Sequence, residues 1–243
     1  MKRVLFLPLL ILMINNAGLA LPPAEEILKR ADEIRAPSKH FSCDLEIISK
    51  RGDEERTKKL KLFVGDETKS LVKFVYPPAD KGKFLLMVDE NLWFYTIGIR
   101  EPIRITPQQR LLGEVSNGDV AKVVYSVDYS PVSINEWEID DKKMYRLELV
   151  AKHKSATYGE VTLFVEKETF NPYKAEFYTI SGKLLKTAYY GSYQLILEKK
   201  RPTEMKIVDE LRTGQSSIIK YSNFEIKEFP EYYFQKTHLK YLQ

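Results

Sequence analysis

Few side chains in this sequence are arranged as a reaction centre or a metal site requires. The histidines His40, His153 and His238 stand singly along the chain, whereas a metal site needs several ligands that converge. The spacing S-x-x-K, known from some serine nucleophiles, occurs at 70–73 and 217–220. Both copies lie in alternating strand patterns and lack the companion motifs S-D-N and K-T-G. No P-loop, G-x-S-x-G or H-E-x-x-H motif occurs. We therefore predict a protein that is not an enzyme and uses no metal and no cofactor.

Two charged clusters could also do chemistry. Asp140-Asp141 could serve acid–base catalysis or bind calcium, but adjacent aspartates are also typical of a solvated hairpin turn. Lys199-Lys200-Arg201 could contact anionic lipid or simply form a solvated strand end. In the whole chain, 38 basic residues stand against 34 acidic ones, for a net charge of +4. Because this excess is small and evenly spread, we predict no nucleic-acid partner.

The N-terminus has the pattern of an export signal. Met1-Lys2-Arg3 precedes an apolar run over 4–14, and the small residues Gly18 and Ala20 follow. The run is shorter than the roughly 20 apolar residues that span a bilayer. We predict a signal peptide over 1–20 that is cleaved after Ala20, with a retained N-terminal anchor as the alternative. The mature chain, 21–243, contains no linker rich in Gly, Ser or Pro, so we predict a single domain.

The elements that must position any site are mainly strands. A helix is predicted over 22–36, because apolar residues recur at helical spacing and Pro37 ends the pattern. After it, turn residues recur every 8–12 positions, and the runs between them alternate apolar with polar residues. The alternation predicts strands with one dry face and one wet face. We expect one continuous antiparallel sheet of about 11 strands.

Three short segments interrupt this pattern. Thr106-Pro107-Gln108-Gln109 has a capping-box spacing with proline at the first helical position, which predicts a helical turn that ends at Gly113. A second short helix is predicted over 118–126, and the end of the chain, 230–242, also has helical spacing.

The strands at 84–88 and 92–95 are apolar on both faces, so both faces need a cover. One face can rest on the N-terminal helix, and the helical pieces at 106–126 are the nearest candidates to cover the other. Two interpretations stay open: a lid that opens and closes, or a permanent plug in a closed core.

Several motifs along the chain resemble the LolA-like family of outer-membrane lipoprotein-sorting proteins. The resemblance rests on four segments and on the order of elements. The segments are Tyr76-Pro77-Pro78-x-x-Lys81-Gly82-Lys83-Phe84-Leu85, Leu92-Trp93-Phe94-Tyr95, Arg100-x-Pro102-x-Arg104-Ile105 with Pro107-x-x-Arg110, and Tyr173-Lys174-Ala175-Glu176-Phe177-Tyr178.

The resemblance implies a fold and a function. The fold is mainly β: a strongly curved antiparallel half-barrel with the N-terminal helix and short lid helices on its concave face. The implied function is a periplasmic carrier or chaperone, a monomer, that binds an acylated lipoprotein or lipid in an apolar trough and passes it toward the outer membrane. An inner-membrane transporter would be the donor and an outer-membrane protein the acceptor. The alternative is a non-enzymatic periplasmic sensor or adaptor of the same fold that partners a membrane transporter.

The candidate site residues follow from placing this trough and lid on the sequence. The trough candidates, which could equally be core residues, are Phe74, Tyr76, Phe84, Leu86, Trp93 and Tyr95. The lid candidates are Leu111, Leu112, Val120 and Val124. The candidates for a lid latch or a headgroup site, or else ordinary surface arginines, are Arg100, Arg104 and Arg110. Period-two alternation selects one face of a strand but does not say which face is concave.

Overall fold

The structure, a computed structural model, describes residues 21–37, 40–122 and 124–242. The predicted signal peptide lies outside these ranges. The predicted N-terminal helix is confirmed as α1 (Ala24–Arg35), which follows Pro23 and carries Glu25 and Glu26 in its first turn, where the helix dipole favours acidic side chains. Its buried side includes Ile27, Leu28 and Ala31.

Within the described residues, strands make up most of the chain. The strands of the main sheet are β1 (Phe41–Arg51), β2 (Glu54–Val64), β3 (Lys69–Tyr76), β4 (Phe84–Val88), β5 (Asn91–Tyr95), β6 (Ile103–Ile105), β9 (Tyr129–Ile139), β10 (Lys142–Ala151), β11 (Glu160–Glu166), β12 (Pro172–Tyr178), β13 (Leu184–Ile196), β14 (Lys199–Asp209) and β15 (Gln215–Ile226). Between β6 and β9 lie a small hairpin, β7 (Arg110–Leu112) with β8 (Val115–Ser116), and two short helices, α2 (Asn117–Ala121) and α3 (Tyr125–Asp128).

The main sheet is antiparallel and open. Its strand order is β6-β5-β4-β3-β2-β1-β15-β14-β13-β12-β11-β10-β9, a 13-stranded sheet with free edges at β6 and β9. The first strand therefore pairs with the last at the centre of the sheet, where Ile47 stands opposite Ile219. The predicted fold class is confirmed, with a few more strands than the expected number because short strands flank the lid region.

One face of the sheet is concave and holds the main core. Apolar side chains of β1, β2, β3 and β4 on one side, and of β10 to β15 on the other, join in a single buried cluster together with α1 and α2. Side chains from strands so far apart in the sheet can meet only if the sheet curves around them. We call this face the inner face and this cluster the inner core.

A second apolar cluster lies on the opposite, outer face. Here β3 contributes Leu71, β4 contributes Phe84 and Leu86, and β5 contributes Tyr95. The C-terminal segment covers them with Phe234 and Leu239. We call this cluster the outer cluster.

The predicted C-terminal helix over 230–242 is wrong in type. Two 3-10 helices, Glu231–Phe234 and Lys236–Tyr241, replace it. The extended backbone of Gln235 (φ −111°, ψ 128°) separates them and interrupts helical hydrogen bonding.

The segment 106–128, which we call the lid segment, crosses the inner face. Its first predicted helix is wrong: the stretch that ends at Gly113 forms the β7–β8 hairpin, with Gly113 in the left-handed region (φ 53°). The backbone N–H groups of Asn117 and Gly118 donate to the carbonyl oxygens of Gln109 (2.9 Å) and Pro107 (2.9 Å), respectively. Because these donors are too far along the chain for helical hydrogen bonds, they favour the hairpin over a helix. The second predicted helix forms as two separate turns, α2 and α3.

Within the described residues, no helix combines the length and the apolar character that a membrane span requires.

Candidate functional site

The lid segment fills the hollow of the inner face with its own apolar side chains. Val115, Val120 and Ala121 are each at most 1% exposed and belong to the inner core. Little empty volume remains beside them: one cavity of about 40 Å³ next to Val120 and Tyr190, and another of about 20 Å³ next to Gly118 and Tyr125. The lid segment therefore fills most of the hollow of the inner face in this structure, and we call this arrangement the closed state.

The backbone of the lid segment lies very close to neighbouring side chains at two glycines. A Cβ atom on Gly118 would lie 2.0 Å from the hydroxyl oxygen of Thr157, and one on Gly113 would lie 2.0 Å from the hydroxyl oxygen of Ser49. Glycine at these positions lets the lid segment sit directly on the sheet and on the loop before β11.

Polar contacts hold the lid segment down, and Asp119 of α2 is the centre of one group. The hydroxyl of Tyr158 donates to Asp119 Oδ1 at 2.6 Å, and Lys186 of β13 donates to Oδ2 at 2.6 Å. The backbone N–H of Ser116 also donates to Oδ2, at 2.8 Å, and closes a capping box at the start of α2. One carboxylate thus fixes the lid helix and joins it to the opposite wall.

A second group of polar contacts ties the lid segment to α1. The carboxylate of Asp32 accepts hydrogen bonds from the backbone N–H groups of Tyr125 (2.9 Å) and Ser126 (2.8 Å), at the start of α3. Arg35 donates to the same carboxylate at 3.0 Å, and its guanidinium lies 3.8 Å from the centre of the Tyr125 ring. Burial raises the pKa of Asp32, against the opposing effect of Arg35 and of the two backbone N–H groups.

Further contacts fix the middle of the lid segment. The hydroxyl of Ser70 on β3 donates to the carbonyl oxygen of Ala121 at 2.6 Å. Lys122 and Asp128, both in the lid segment and both buried, form an ion pair at 2.8 Å. The ring of His153 lies 3.0 Å from the same Asp128 carboxylate. These contacts lie outside the hydrogen-bonded pairing of the main sheet.

The predicted arginines have different surroundings from one another. Arg100 and Arg104 are exposed. Arg110 lies 3.6 Å from Glu114 and 3.7 Å from Asp209, where the hairpin meets β14. Burial and the neighbouring Asp209 raise the pKa of Glu114. Of the three, Arg110 alone is placed between the lid segment and the sheet by these ion pairs.

The structure divides the predicted trough residues between the two faces. Phe74 belongs to the inner core, whereas Phe84, Leu86, Trp93 and Tyr95 belong to or pack against the outer cluster. Tyr76 is 46% exposed. The expectation that these side chains share one face is thus corrected: the alternation was right, but the C-terminal segment covers the face that was chosen. On β4 and β5 the inner-face residues are Leu85, Met87, Leu92 and Phe94.

The predicted lid residues differ in how deeply they are buried. Val120 is buried in the inner core, Leu111 and Leu112 are partly buried against it, and Val124 is half-buried between α2 and α3.

The sequence reasoning missed the residues that hold the lid segment, chiefly Asp32, Asp119 and Lys186. Two signals could have found them. Ser116-x-x-Asp119 is a capping-box spacing, and Lys186 occupies a position that period-two alternation assigns to the same face as Ala188 and Tyr190, which are buried.

Comparison with known proteins places the chain in a family. A family model described as "Uncharacterized protein" matches residues 66–241. Among solved structures, a LolA superfamily protein from Nitrosomonas europaea is 36% identical, with 88% of this chain and 98% of that protein aligned at a TM-score of 0.84. The chain belongs to the LolA superfamily.

More distant members of the comparison agree on the fold of this LolA superfamily protein. A domain from Vibrio parahaemolyticus assigned to outer-membrane lipoprotein sorting is 22% identical, with 89% of this chain and 97% of that domain aligned and a TM-score of 0.75. A DUF1329 family protein from Desulfovibrio piger is 20% identical, with 88% and 97% aligned and the same TM-score of 0.75. No curated protein matches the sequence.

Proposed function

We propose that this LolA superfamily protein is a carrier that binds the acyl chains of a lipoprotein or lipid in the hollow of its inner face. The observation that carries the proposal is the lid segment: its apolar residues fill a hollow walled by a curved sheet, and most of the polar contacts that attach it involve side chains. The superfamily name and the sorting role assigned to the domain from Vibrio parahaemolyticus support the same ligand class.

The energetics of acyl chains call for such a hollow. Burying one methylene group is worth about 0.8 kcal/mol, so exposing one long acyl chain to water costs roughly 10 kcal/mol. A carrier must hide the chain and must also let it go. When the ligand is absent, the lid segment covers the apolar wall, and no large apolar patch forms there.

The lid segment and the ligand compete for the same wall. Docking of Val115, Val120 and Ala121 stabilises the closed state, and a ligand must displace them. The free energy of lid docking is therefore subtracted from that of ligand binding. This competition keeps the ligand removable without any nucleotide. The wall that a ligand would contact consists of inner-face side chains, among them Leu45, Leu62, Leu85 and Phe177.

The location and partners follow from the same proposal. With the predicted signal peptide removed after Ala20, the chain would act in the periplasm as a non-enzymatic monomer. It would receive its ligand from an inner-membrane transporter and deliver it to an acceptor at the outer membrane.

The first test examines the native protein. Protein purified from its own periplasm without detergent should carry acyl lipid, and mass spectrometry of an organic extract should detect it. A preparation that carries no acyl lipid, and that binds no amphiphile after purification, would contradict the carrier proposal. A stable complex with a membrane protein in that case would favour the adaptor alternative.

The second test weakens the lid segment. Val120→Ala removes buried methyl groups that only the closed state uses, at a cost of about 1 kcal/mol, so affinity for a fluorescent fatty acid should rise about fivefold. Val132→Ala is the matched control, because Val132 is 61% exposed on the edge strand β9. Titration by fluorescence measures both. Unchanged or weaker binding by Val120→Ala would show that the lid segment does not compete with the ligand.

A further inference from the structure

The ammonium group of Lys186 on β13 donates its hydrogen bonds to the lid segment, and it also lies near the rings of Tyr158 (4.9 Å) and Phe177 (5.8 Å), which are outside that segment. Its Nζ atom donates to Asp119 Oδ2 at 2.6 Å, to the carbonyl oxygen of Glu114 at 2.8 Å and to the hydroxyl oxygen of Ser116 at 3.3 Å. The side chain is 7% exposed. Every acceptor named here belongs to the lid segment, so all of them leave together when it opens.

Two other buried ion pairs near the hollow keep their two charged members together when the lid segment leaves, although Asp32 loses the backbone N–H donors of Tyr125 and Ser126. Asp32 and Arg35 are both on α1 and remain an ion pair. Lys122 and Asp128 are both in the lid segment and move with it. Lys186 is different, because its carboxylate partner lies on the part that moves.

Asp209 is the alternative partner on the wall, because it stands opposite Lys186 in the pairing of β13 with β14. Its Oδ1 atom is already engaged by groups outside the lid segment: the backbone N–H groups of Leu211 (2.7 Å) and Arg212 (3.1 Å) donate to it. Arg110, which lies 3.7 Å from Asp209, is part of the lid segment and leaves with it. An ammonium group left in an apolar hollow without an acceptor is costly, so the open state favours a ligand that brings one.

The vacated position also keeps a second donor. The hydroxyl of Tyr158, which donates to Asp119 Oδ1 at 2.6 Å, is on the loop before β11 and not on the lid segment. The Tyr158 ring lies 4.9 Å from Lys186 Nζ. Opening thus uncovers an ammonium and a phenol hydroxyl that were both directed at one carboxylate, which is a receptor for an anionic oxygen acid.

We propose that the ligand of this hollow is an amphiphile with an anionic headgroup, a phosphate or carboxylate, and that Lys186 binds this headgroup in the place that Asp119 occupies in the closed state. The inference rests on the proposed function, since it requires the lid segment to open, and it narrows the ligand class to acidic lipids. Asp119 then acts as an internal substitute for the headgroup.

The test uses two probes that differ by a single phosphate. Oleoyl lysophosphatidic acid and monooleoylglycerol share the acyl chain and glycerol, and each is titrated calorimetrically below its aggregation concentration. A charge-assisted hydrogen bond predicts that the acidic probe binds at least about tenfold more tightly. Glycerol 3-phosphate tests the headgroup alone and should bind far more weakly than the acidic probe.

A double variant that leaves the net charge unchanged tests whether Lys186 binds the headgroup. Lys186→Met with Asp119→Asn removes both members of the buried pair, so neither charge is stranded when the lid segment closes. The affinity ratio should fall toward one. Because the pair also holds the lid segment against the sheet, monooleoylglycerol should bind the double variant at least as tightly as it binds the wild type. Glu33→Gln with Lys199→Met is the matched control, because that pair is exposed and 3.3 Å apart; it should keep the wild-type ratio.

Each other outcome overturns a distinct claim. Equal affinity of the wild type for the two oleoyl probes overturns the anionic headgroup. A preference that survives in the double variant overturns binding of the headgroup by Lys186. Both results leave the carrier in place. If glycerol 3-phosphate binds as tightly as the acidic probe, the acyl chain contributes nothing to binding, and the claim that the ligand is an amphiphile is overturned. Failure of both oleoyl probes to bind overturns the proposed function together with this inference.

Discussion

At the scale of single residues, carboxylates organise this molecule wherever segments without strand pairing must be held. Asp119 fastens α2, Asp32 fastens α3, and Asp80 fastens the turn from β3 to β4. Each accepts from more than one donor, which satisfies the buried charge that would otherwise be costly. The same arrangement appears both at the lid segment and at the turn before β4, which lies far from it in the sequence.

Asp80 gives a prediction about acid stability. Burial opposes its charge, but hydrogen bonds from Lys58 and Lys83 outweigh burial and lower the pKa of its carboxyl group. A lowered pKa stabilises the folded state above the ordinary pKa of about 3.9, and this stabilisation is lost as pH falls through the lower, folded-state value. Asp80→Asn should therefore cost about 2 kcal/mol at pH 7 and little at pH 2.

Urea unfolding at both pH values measures this difference. Asp141→Asn is the control, because Asp141 is exposed in the turn between β9 and β10 and should change stability little at either pH. A cost for Asp80→Asn that is the same at pH 7 and pH 2 would be evidence against the ion pairs with the two lysines.

At the scale of elements, the β7–β8 hairpin shows how a turn residue positions a whole segment. Gly113 combines a positive φ of 53° with a backbone so close to the sheet that a Cβ atom would lie 2.0 Å from Ser49 and 2.4 Å from Ser217. The hydroxyl of Ser217 accepts a hydrogen bond from the N–H of Glu114 at 3.0 Å. The hairpin therefore enters the hollow only because this position has no side chain.

Gly113→Ala should accordingly cost more than a positive φ alone explains. We expect a loss of about 3 kcal/mol in the free energy of unfolding, since overpacking adds to backbone strain. Gly182→Ala separates the two effects, because Gly182 has a φ of 77° but nothing within 4 Å of the added Cβ; its cost should stay near 1 kcal/mol. Chemical denaturation measures both, and equal costs would refute the close packing of the hairpin.

At the scale of the whole molecule, the sequence was sufficient where periodicity and turns act locally. Alternation in segments such as 143–151 and 216–226 predicted β10 and β15 closely, and the apolar spacing after Pro23 predicted α1. These patterns depend on neighbours along the chain, and the antiparallel fold class follows from them.

The rest depended on partners remote in sequence. The hairpin at 110–116 meets Ser49 and Ser217, and Phe84 is covered by residues more than a hundred positions later. No local pattern tells which face of β4 the chain end will cover. The pair of Lys186 with Asp119 joins β13 to α2, so its members became visible as a site only in the folded chain.

The two tryptophans can show whether the two halves of the sheet unfold in a single transition. Trp93 is on β5 in one half of the sheet and Trp137 on β9 at the far edge of the other. Because one inner core spans both halves, we expect a single cooperative transition. The variants Trp93→Phe and Trp137→Phe, each with one fluorophore left, should unfold at the same urea concentration. Separate midpoints would show that the halves unfold independently.

The pairing of β1 with β15 joins the two halves of the main sheet, and it can form only after the last strand has been made. The earliest strand of the chain finds one of its two neighbours in the latest, so the contact order of this seam is high and its formation is slow relative to the hairpins on either side. A nascent chain that emerges from its N-terminus has no enclosed interior until its final strand arrives. The order of assembly therefore leaves the inner core incomplete until the whole polypeptide is available.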